Sequence, residues 1–296
     1  MSKDMQSKVS PATFRLAPLI VVSAAGLVLS ACGGGGDDNP PPPSKTPVAC
    51  QNLPGKTVAA GSIGLPTNGA TVADAVMVPA TGGGQLGTGA YCKVTGTIAP
   101  VDPTAPSIRF EVDMPASWNQ KVVMFGGGGY DGTIPNTAGN VPAGPTDQPS
   151  PLARGYATFA SDSGHQAGAL GSRDGSFGTN DEAVRNFSSD ALKKTRDVAI
   201  ALIQMHYQAD GPKKAYFAGG SSGGREALAV VQRWPQDWDG AIVLYPAWNA
   251  ASLTCSSAAS PARWQRRVHT RTSPSARCST MPPSPRAMTS MASRTA

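Results

Sequence analysis

The sequence is short of histidine, with three in 296 residues, and has no aspartate or glutamate after Asp239. A centre that draws its carboxylate from the C-terminal stretch is thereby excluded. Aromatic residues make up 6% of the chain, and no basic helix interleaved with aromatics occurs. That excludes the usual nucleic-acid signature. The net charge of +6 does not restore it. Residues 254–296 hold seven arginines and no lysine, aspartate or glutamate, so this stretch alone carries +7 and the rest is near neutral. No internal repeat is visible. The apolar run "LAPLIVVSAAGLVLSA" (16–31) is too short for a comfortable membrane span. What is present is apolar material for a core, at 40%, and an excess of loop formers, with 34 glycines and 27 prolines.

The N-terminus reads as a targeting segment. Lys3, Lys8 and Arg15 form a positive region ahead of the apolar run. The run closes on Leu29-Ser30-Ala31-Cys32, which resembles a bacterial lipobox, where the peptide is cut before the cysteine and the thiol receives a diacylglycerol. Residues 1–31 are then a lipoprotein signal peptide and Cys32 the lipidation site. Gly33 after that cysteine implies an outer-membrane destination. "GGGGDDNPPPP" continues as a tether, flexible then stiff, within residues 32–49. An exported chain meets an oxidising compartment, so Cys50 and Cys92, the two cysteines of the body, are expected to form a disulfide. Cys255 and Cys278 lie in the tail.

The body, residues 50–253, alternates strands and helices. "YCKVTGTIAP" and "SIRFEVDMP" alternate apolar and polar residues, "KVVMF" is a buried-strand run, and 155–160 is a further strand. "NFSSDALKKTRDVAIALIQMHY" predicts a helix capped by Ser188 or Ser189, with Leu192, Val198, Ala199, Leu202, Ile203 and Met205 on its apolar face. Strand "KAYFAG", a glycine turn, helix "GREALAVVQRW" and strand "AIVLY" follow. The alternation implies a mostly parallel sheet with helices on both faces.

The glycine turn carries the chemistry. "GGSSGG" fits Gly-x-Ser-x-Gly in two registers, with Ser221 or with Ser222 at the centre. A strand before it and a helix after it make the nucleophile elbow of an α/β-hydrolase. The helix start offers N–H groups and a dipole to a developing oxyanion. The turn lacks the Gly-Lys-Ser/Thr ending of a nucleotide loop. "FGGGGYDG" after "KVVMF" stands where a second oxyanion donor is needed.

"YFAGGSSGGREALAVVQRWPQDWDGAIVLYPAWN", "MPASWNQKVVMFGGGGYDG", "ATFASDSGHQ" and "YCKVTG" resemble, in the same order, the tannase/feruloyl esterase family, which includes mono(2-hydroxyethyl) terephthalate hydrolases. The likeness covers Cys50 to Leu253. The family's Gly-Cys-Ser-x-Gly-Gly-Arg falls on residues 219–225. It implies Ser221 as the nucleophile, with the N–H groups of Ser222 and Gly129 as oxyanion donors. It also implies an aromatic ester substrate, hydroxycinnamoyl, galloyl or related. One departure is Gly220, where the family has a cysteine bonded to another beside the catalytic histidine.

A hydrolase of this class takes its acid and then its histidine from beyond the serine. Here only Glu226, Asp237, Asp239 and His269 follow Ser221, while His165 and His206 precede it. We read residues 254–296 as an aberrant, disordered tail translated out of frame. Taken from the third base, Met288-Thr289 must encode Asp and Met291-Ala292 must encode Gly, and the surrounding segment then resembles the family's calcium-binding segment in its lid domain. The expectation is an α/β-hydrolase fold, N-terminal part only, without the lid domain or the last strands. No cofactor is expected in this chain, with calcium in the missing lid, and the chain is expected to be inactive. The rival expectation is a non-catalytic, membrane-anchored lipoprotein that binds aromatic ligands or cell-envelope partners.

Overall fold

The computed structural model describes residues 48–249. The targeting segment, Cys32, the tail with His269 and the shifted frame lie outside them. The described strands are β1 (Thr57–Val58), β2 (Ala70–Val78), β3 (Tyr91–Ile98), β4 (Ile108–Pro115), β5 (Lys121–Phe125), β6 (Ala157–Ser161), β7 (Lys214–Gly220) and β8 (Gly240–Leu244). They form one sheet in the order β1-β2-β3-β4-β6-β5-β7-β8. Strands β1 to β4 and the β4–β6 pair are antiparallel, and β6-β5-β7-β8 are parallel. The sheet is therefore mixed, not mostly parallel. The connections between β2, β3 and β4 contain no α-helix, so each strand returns beside its predecessor antiparallel. Strand β2 escaped the sequence reading because its register shifts between Val72 and Asp74, which breaks the period of two.

Both long helices, α2 (Ala191–Tyr207) and α3 (Ser222–Arg233), pack on one face. That face collects Phe110, Val112 and Met114 of β4, Val122 and Met124 of β5, Phe159 of β6 and Phe217 of β7. Each fully buried large side chain there contributes roughly 1.5–3 kcal/mol. The predicted apolar face of α2 is the buried one: Leu192, Val198, Ala199, Leu202 and Ile203 are buried and Met205 packs beside them. The opposite face carries Val123, Phe125, Ala160 and Ala218. There the long connection between β5 and β6 lies against the sheet instead of a helix, so helices on both faces are not what the described residues show.

The cap is also corrected. The chain turns helical at Asp181, in α1 (Asp181–Arg185), and Asn180 is the cap, its side chain accepting from the Ala183 N–H at 2.9 Å. A π-type stretch, Asn186–Asp190, leads from α1 to α2 across a kink at Ser189 (φ 178°, ψ −18°), and neither serine caps α2: the Ser188 hydroxyl donates back to Val184 O at 2.8 Å. The expected disulfide joins Cys50 to Cys92, both buried, and ties the start of the body to β3.

Candidate active site

β7 ends at Gly220 and α3 begins at Ser222, with Ser221 between them at φ 58°, ψ −121°. That conformation is strained for a residue with a β-carbon, at about 1–3 kcal/mol. Backbone bonds hold it. The Ser221 N–H donates to Leu244 O at 3.1 Å, and Ser221 O accepts from Gly224, Arg225 and Ala247 at 3.0, 3.2 and 2.9 Å. The flanking glycines are steric necessities. A β-carbon on Gly219 would overlap the Gly223 carbonyl, and one on Gly223 would stand 2.8 Å from the backbone of both Gly126 and Gly127. A β-carbon on Gly224 would stand 2.6 Å from Leu244 O, so glycine is needed in both registers, and what distinguishes the two serines is that Ser221 alone has the positive φ.

The glycine loop after β5 is fastened to this turn at three points. Gly126 N–H donates to Ala218 O at 2.9 Å and Gly223 N–H to Gly127 O at 3.0 Å. The Ser222 hydroxyl donates to Gly129 O at 2.5 Å. Gly129 has φ 64°, and a β-carbon there would overlap the Ser172 carbonyl, which the Tyr130 N–H holds at 2.7 Å. The Gly223 N–H goes to Gly127 and those of Gly224 and Arg225 to Ser221, which leaves the Ser222 N–H at the start of α3. The Gly129 N–H donates to no group among the described residues. Two N–H groups and a helix N-terminus beside one hydroxyl form an arrangement able to accept negative charge on a tetrahedral oxygen.

No histidine among the described residues is hydrogen-bonded to Ser221. His165 is buried and stacks on Phe177, with ring centres 4.0 Å apart, and Phe187 packs edge-on against it. Burial pushes its imidazole below the ordinary histidine range. His206 is half-buried, its Nδ1 lying 2.8 Å from Val48 O. Among the described residues no group of three or more His, Cys, Asp or Glu could hold a metal ion.

Gly220 has a visible consequence. A β-carbon there would stand 2.6 Å from the Tyr245 ring, so that ring occupies the space a side chain at 220 would need. Sequence reasoning passed over Asp131 and met Glu226 only as an acid that follows Ser221, and both lie buried beneath the glycine loop. Glu226 looks like an ordinary polar helix position, and only its contact with the loop shows otherwise: the Gly127 N–H donates to its Oε2 at 3.1 Å. An acidic residue four places after a nucleophile candidate, on a helix that turns its first residues inward, was the available signal. Cavity space lies elsewhere. A groove of about 500 Å³, lined by Val123, Tyr156, Tyr216 and Ile242 among others, opens on the face away from the helices and includes neither the elbow nor the glycine loop.

A strand, a strained serine and a helix, beside a glycine loop on the adjacent parallel strand, define a protein of the α/β-hydrolase class. A sequence-family model described as tannase and feruloyl esterase matches residues 92–277, more than half of the chain. The chain belongs to the tannase and feruloyl esterase family. It is 42% identical over 208 residues to an uncharacterised esterase of Agrobacterium fabrum, covering 69% of this chain and 36% of that protein. It is 30% identical over 175 residues to the mono(2-hydroxyethyl) terephthalate hydrolase of Piscinibacter sakaiensis, covering 57% of this chain and 28% of that one. The crystal structure of feruloyl esterase B from Aspergillus oryzae superposes with a TM-score of 0.53 at 25% identity, covering 64% of this chain and 37% of that one. The chain thus spans about a third of the length of the curated relatives it matches.

Proposed function

We propose that this chain carries the nucleophile and oxyanion half of a serine carboxylesterase acting on aromatic esters, hydroxycinnamoyl, galloyl or related. The Ser221 oxygen attacks the ester carbonyl. The carbonyl oxygen becomes an oxyanion held by the N–H groups of Ser222 and Gly129. The alcohol leaves, and water releases the acid from the acyl-serine. The observation that carries the reading is the strained Ser221 at the start of α3, with the Gly129 loop bonded to its neighbour Ser222. The aromatic character of the substrate rests on relatives named feruloyl esterase and terephthalate hydrolase. A general base is the part that no described histidine supplies, so the 296-residue chain is expected to react slowly.

A fluorophosphonate probe tests this. Slow covalent labelling of the full chain that maps to Ser221 and disappears in Ser221→Ala supports the esterase reading. No labelling above the Ser221→Ala background, with saturating probe and long exposure, favours instead a non-catalytic lipoprotein that binds aromatic ligands or envelope partners.

The same proposal places the protein at the outer membrane through a diacylglycerol on Cys32. Expressed with its signal segment in a bacterium, the chain should partition into the detergent phase, and Cys32→Ser should release it. Partition unchanged by that substitution would remove the anchor from the proposal.

A further inference from the structure

Two carboxyl groups lie buried beneath the glycine loop, both 1% exposed: Asp131, at the loop's end, and Glu226, in the second turn of α3. Each has one oxygen with a clear partner. The Ser163 hydroxyl donates to Asp131 Oδ2 at 2.6 Å, and the Gly127 N–H donates to Glu226 Oε2 at 3.1 Å. The other two oxygens, Asp131 Oδ1 and Glu226 Oε1, have no donor among the described residues, and both carboxyl groups close on Gly127, whose N–H meets Glu226 and where a β-carbon would stand 2.5 Å from Asp131 Oδ1, so the two side chains come within hydrogen-bond reach of each other. Two buried acceptors facing each other are repulsive unless a proton lies between them. Other charges do not resolve the pair. Arg225 stands 4.0 Å from Glu226 Oε1, beyond hydrogen-bond range, and its guanidinium is turned to Phe187, donating to Phe187 O at 3.3 Å and lying 4.5 Å over the ring. His165, on the loop after β6, lies near enough to Asp131 for their charges to interact, and it gives no hydrogen bond to either carboxyl group.

We propose that Glu226 is held as a protonated carboxylic acid that donates to Asp131 Oδ1, and that this shared proton locks the glycine loop in its oxyanion-binding form. In that state every oxygen of the pair has a partner. Glu226 receives Gly127 and gives to Asp131, and Asp131 receives Ser163 and Glu226. The loop leaves no slack around the pair: a β-carbon on Gly126 would stand 2.8 Å from Glu226 Oε2, and one on Gly127 would stand 2.5 Å from Asp131 Oδ1. Burial, and then the charge of Asp131, raise the Glu226 carboxyl well above its ordinary range. Asp131 and Glu226 are positioning residues, acting through Gly127 on the donor at Gly129. The purpose of the lock rests on the acyl-transfer reading, its existence does not, and its measurement involves no turnover.

The sequence contains three glutamates, Glu111, Glu182 and Glu226. The full chain labelled with ¹³C at the glutamate carboxyl therefore gives three signals. At pH 7 one of them should stand at the position of a protonated acid, and Glu226→Gln should remove it. The Gly127 amide resonance should move with the same midpoint when that proton is finally lost, which a purely space-filling role would not produce. Gln keeps both bonds, N–H to Asp131 and oxygen from Gly127, so Glu226→Gln should fold and its Gly127 resonance should be flat with pH. Asp131→Asn is the second variant. Its amide can donate to an ionised Glu226, so the signal should shift to the carboxylate position at pH 7. The folded state holds a proton that the unfolded state gives up. The unfolding constant should therefore rise by up to tenfold per pH unit between the two pKa values, and Glu226→Gln should remove that dependence. Three carboxylate-type signals at pH 7 in the wild-type chain overturn the proposal, and this outcome needs no variant to fold.

Discussion

Ser221 and Ser222 are neighbours with different work. Ser221 stands at the strained position and presents its hydroxyl, whereas the Ser222 hydroxyl is committed to Gly129 O at 2.5 Å. Sequence alone gives Ser222 a backbone role only. The hydrogen bond adds a second, since it ties down the carbonyl of Gly129, the residue whose N–H is the other donor. In a protein reconstituted to measurable ester hydrolysis, Ser221→Ala should abolish turnover. Ser222→Ala should leave much of it, lowering kcat by less than about tenfold, since the N–H is kept and one such bond is worth about 1 kcal/mol. Loss of all activity in Ser222→Ala with activity retained in Ser221→Ala would move the elbow register by one.

At the scale of elements, the sheet sorts its two faces by chemistry. The alternation of β4 sends Phe110, Val112 and Met114 towards the helices and Glu111 and Asp113 to the other side. There Thr137, from the long β5–β6 connection, places one hydroxyl 2.6 Å from Glu111 Oε1 and 2.6 Å from Asp113 Oδ2. One hydroxyl proton can satisfy one of these contacts, and the other is satisfied when Asp113 itself carries a proton and donates. Burial pushes the Asp113 carboxyl up to about 7. The folded state therefore holds this proton more tightly than the unfolded chain. Its contribution is complete below the ordinary aspartate range, about pH 4, and is lost as pH rises towards 7, by up to about 1.4 kcal/mol per unit. Urea midpoints across that range should show the decline, and Asp113→Asn should remove this component of it. A variant as pH-dependent as the wild type would show that Asp113 is not the group responsible.

For the whole molecule, the disulfide is the long-range tie. It links positions 42 apart, and in the chain-entropy account a loop of that size contributes about 4 kcal/mol. Cys92→Ser should lower the urea midpoint and steepen the slope, because the released unfolded chain exposes more surface, and reduction of the wild type should do the same. An unchanged midpoint under both treatments would mean that the bridge leaves the unfolded ensemble unconstrained. On the face away from the helices the apolar groove stays open, with Ile242 44% exposed, and β8 is an edge of the described sheet.

Much of this was legible in the sequence, because it is local. Periodicity placed α2 and the parallel strands, and a strand, Gly-x-Ser-x-Gly and a helix read as an elbow, since each depends on residues within one turn or one strand. The compartment implied by the N-terminus paired Cys50 with Cys92. Local pattern misled where it was interrupted, at the bulge of β2 and at the kink at Ser189 between α1 and α2. Tertiary structure alone decided the direction of β1 to β4, the common face of α2 and α3, the Ser222–Gly129 bond and the burial of Asp131 against Glu226. Each of these is a contact between segments far apart in the chain. The free energy of such contacts comes from desolvation and packing that exist only once the sheet has assembled, which is why no single stretch of sequence announces them.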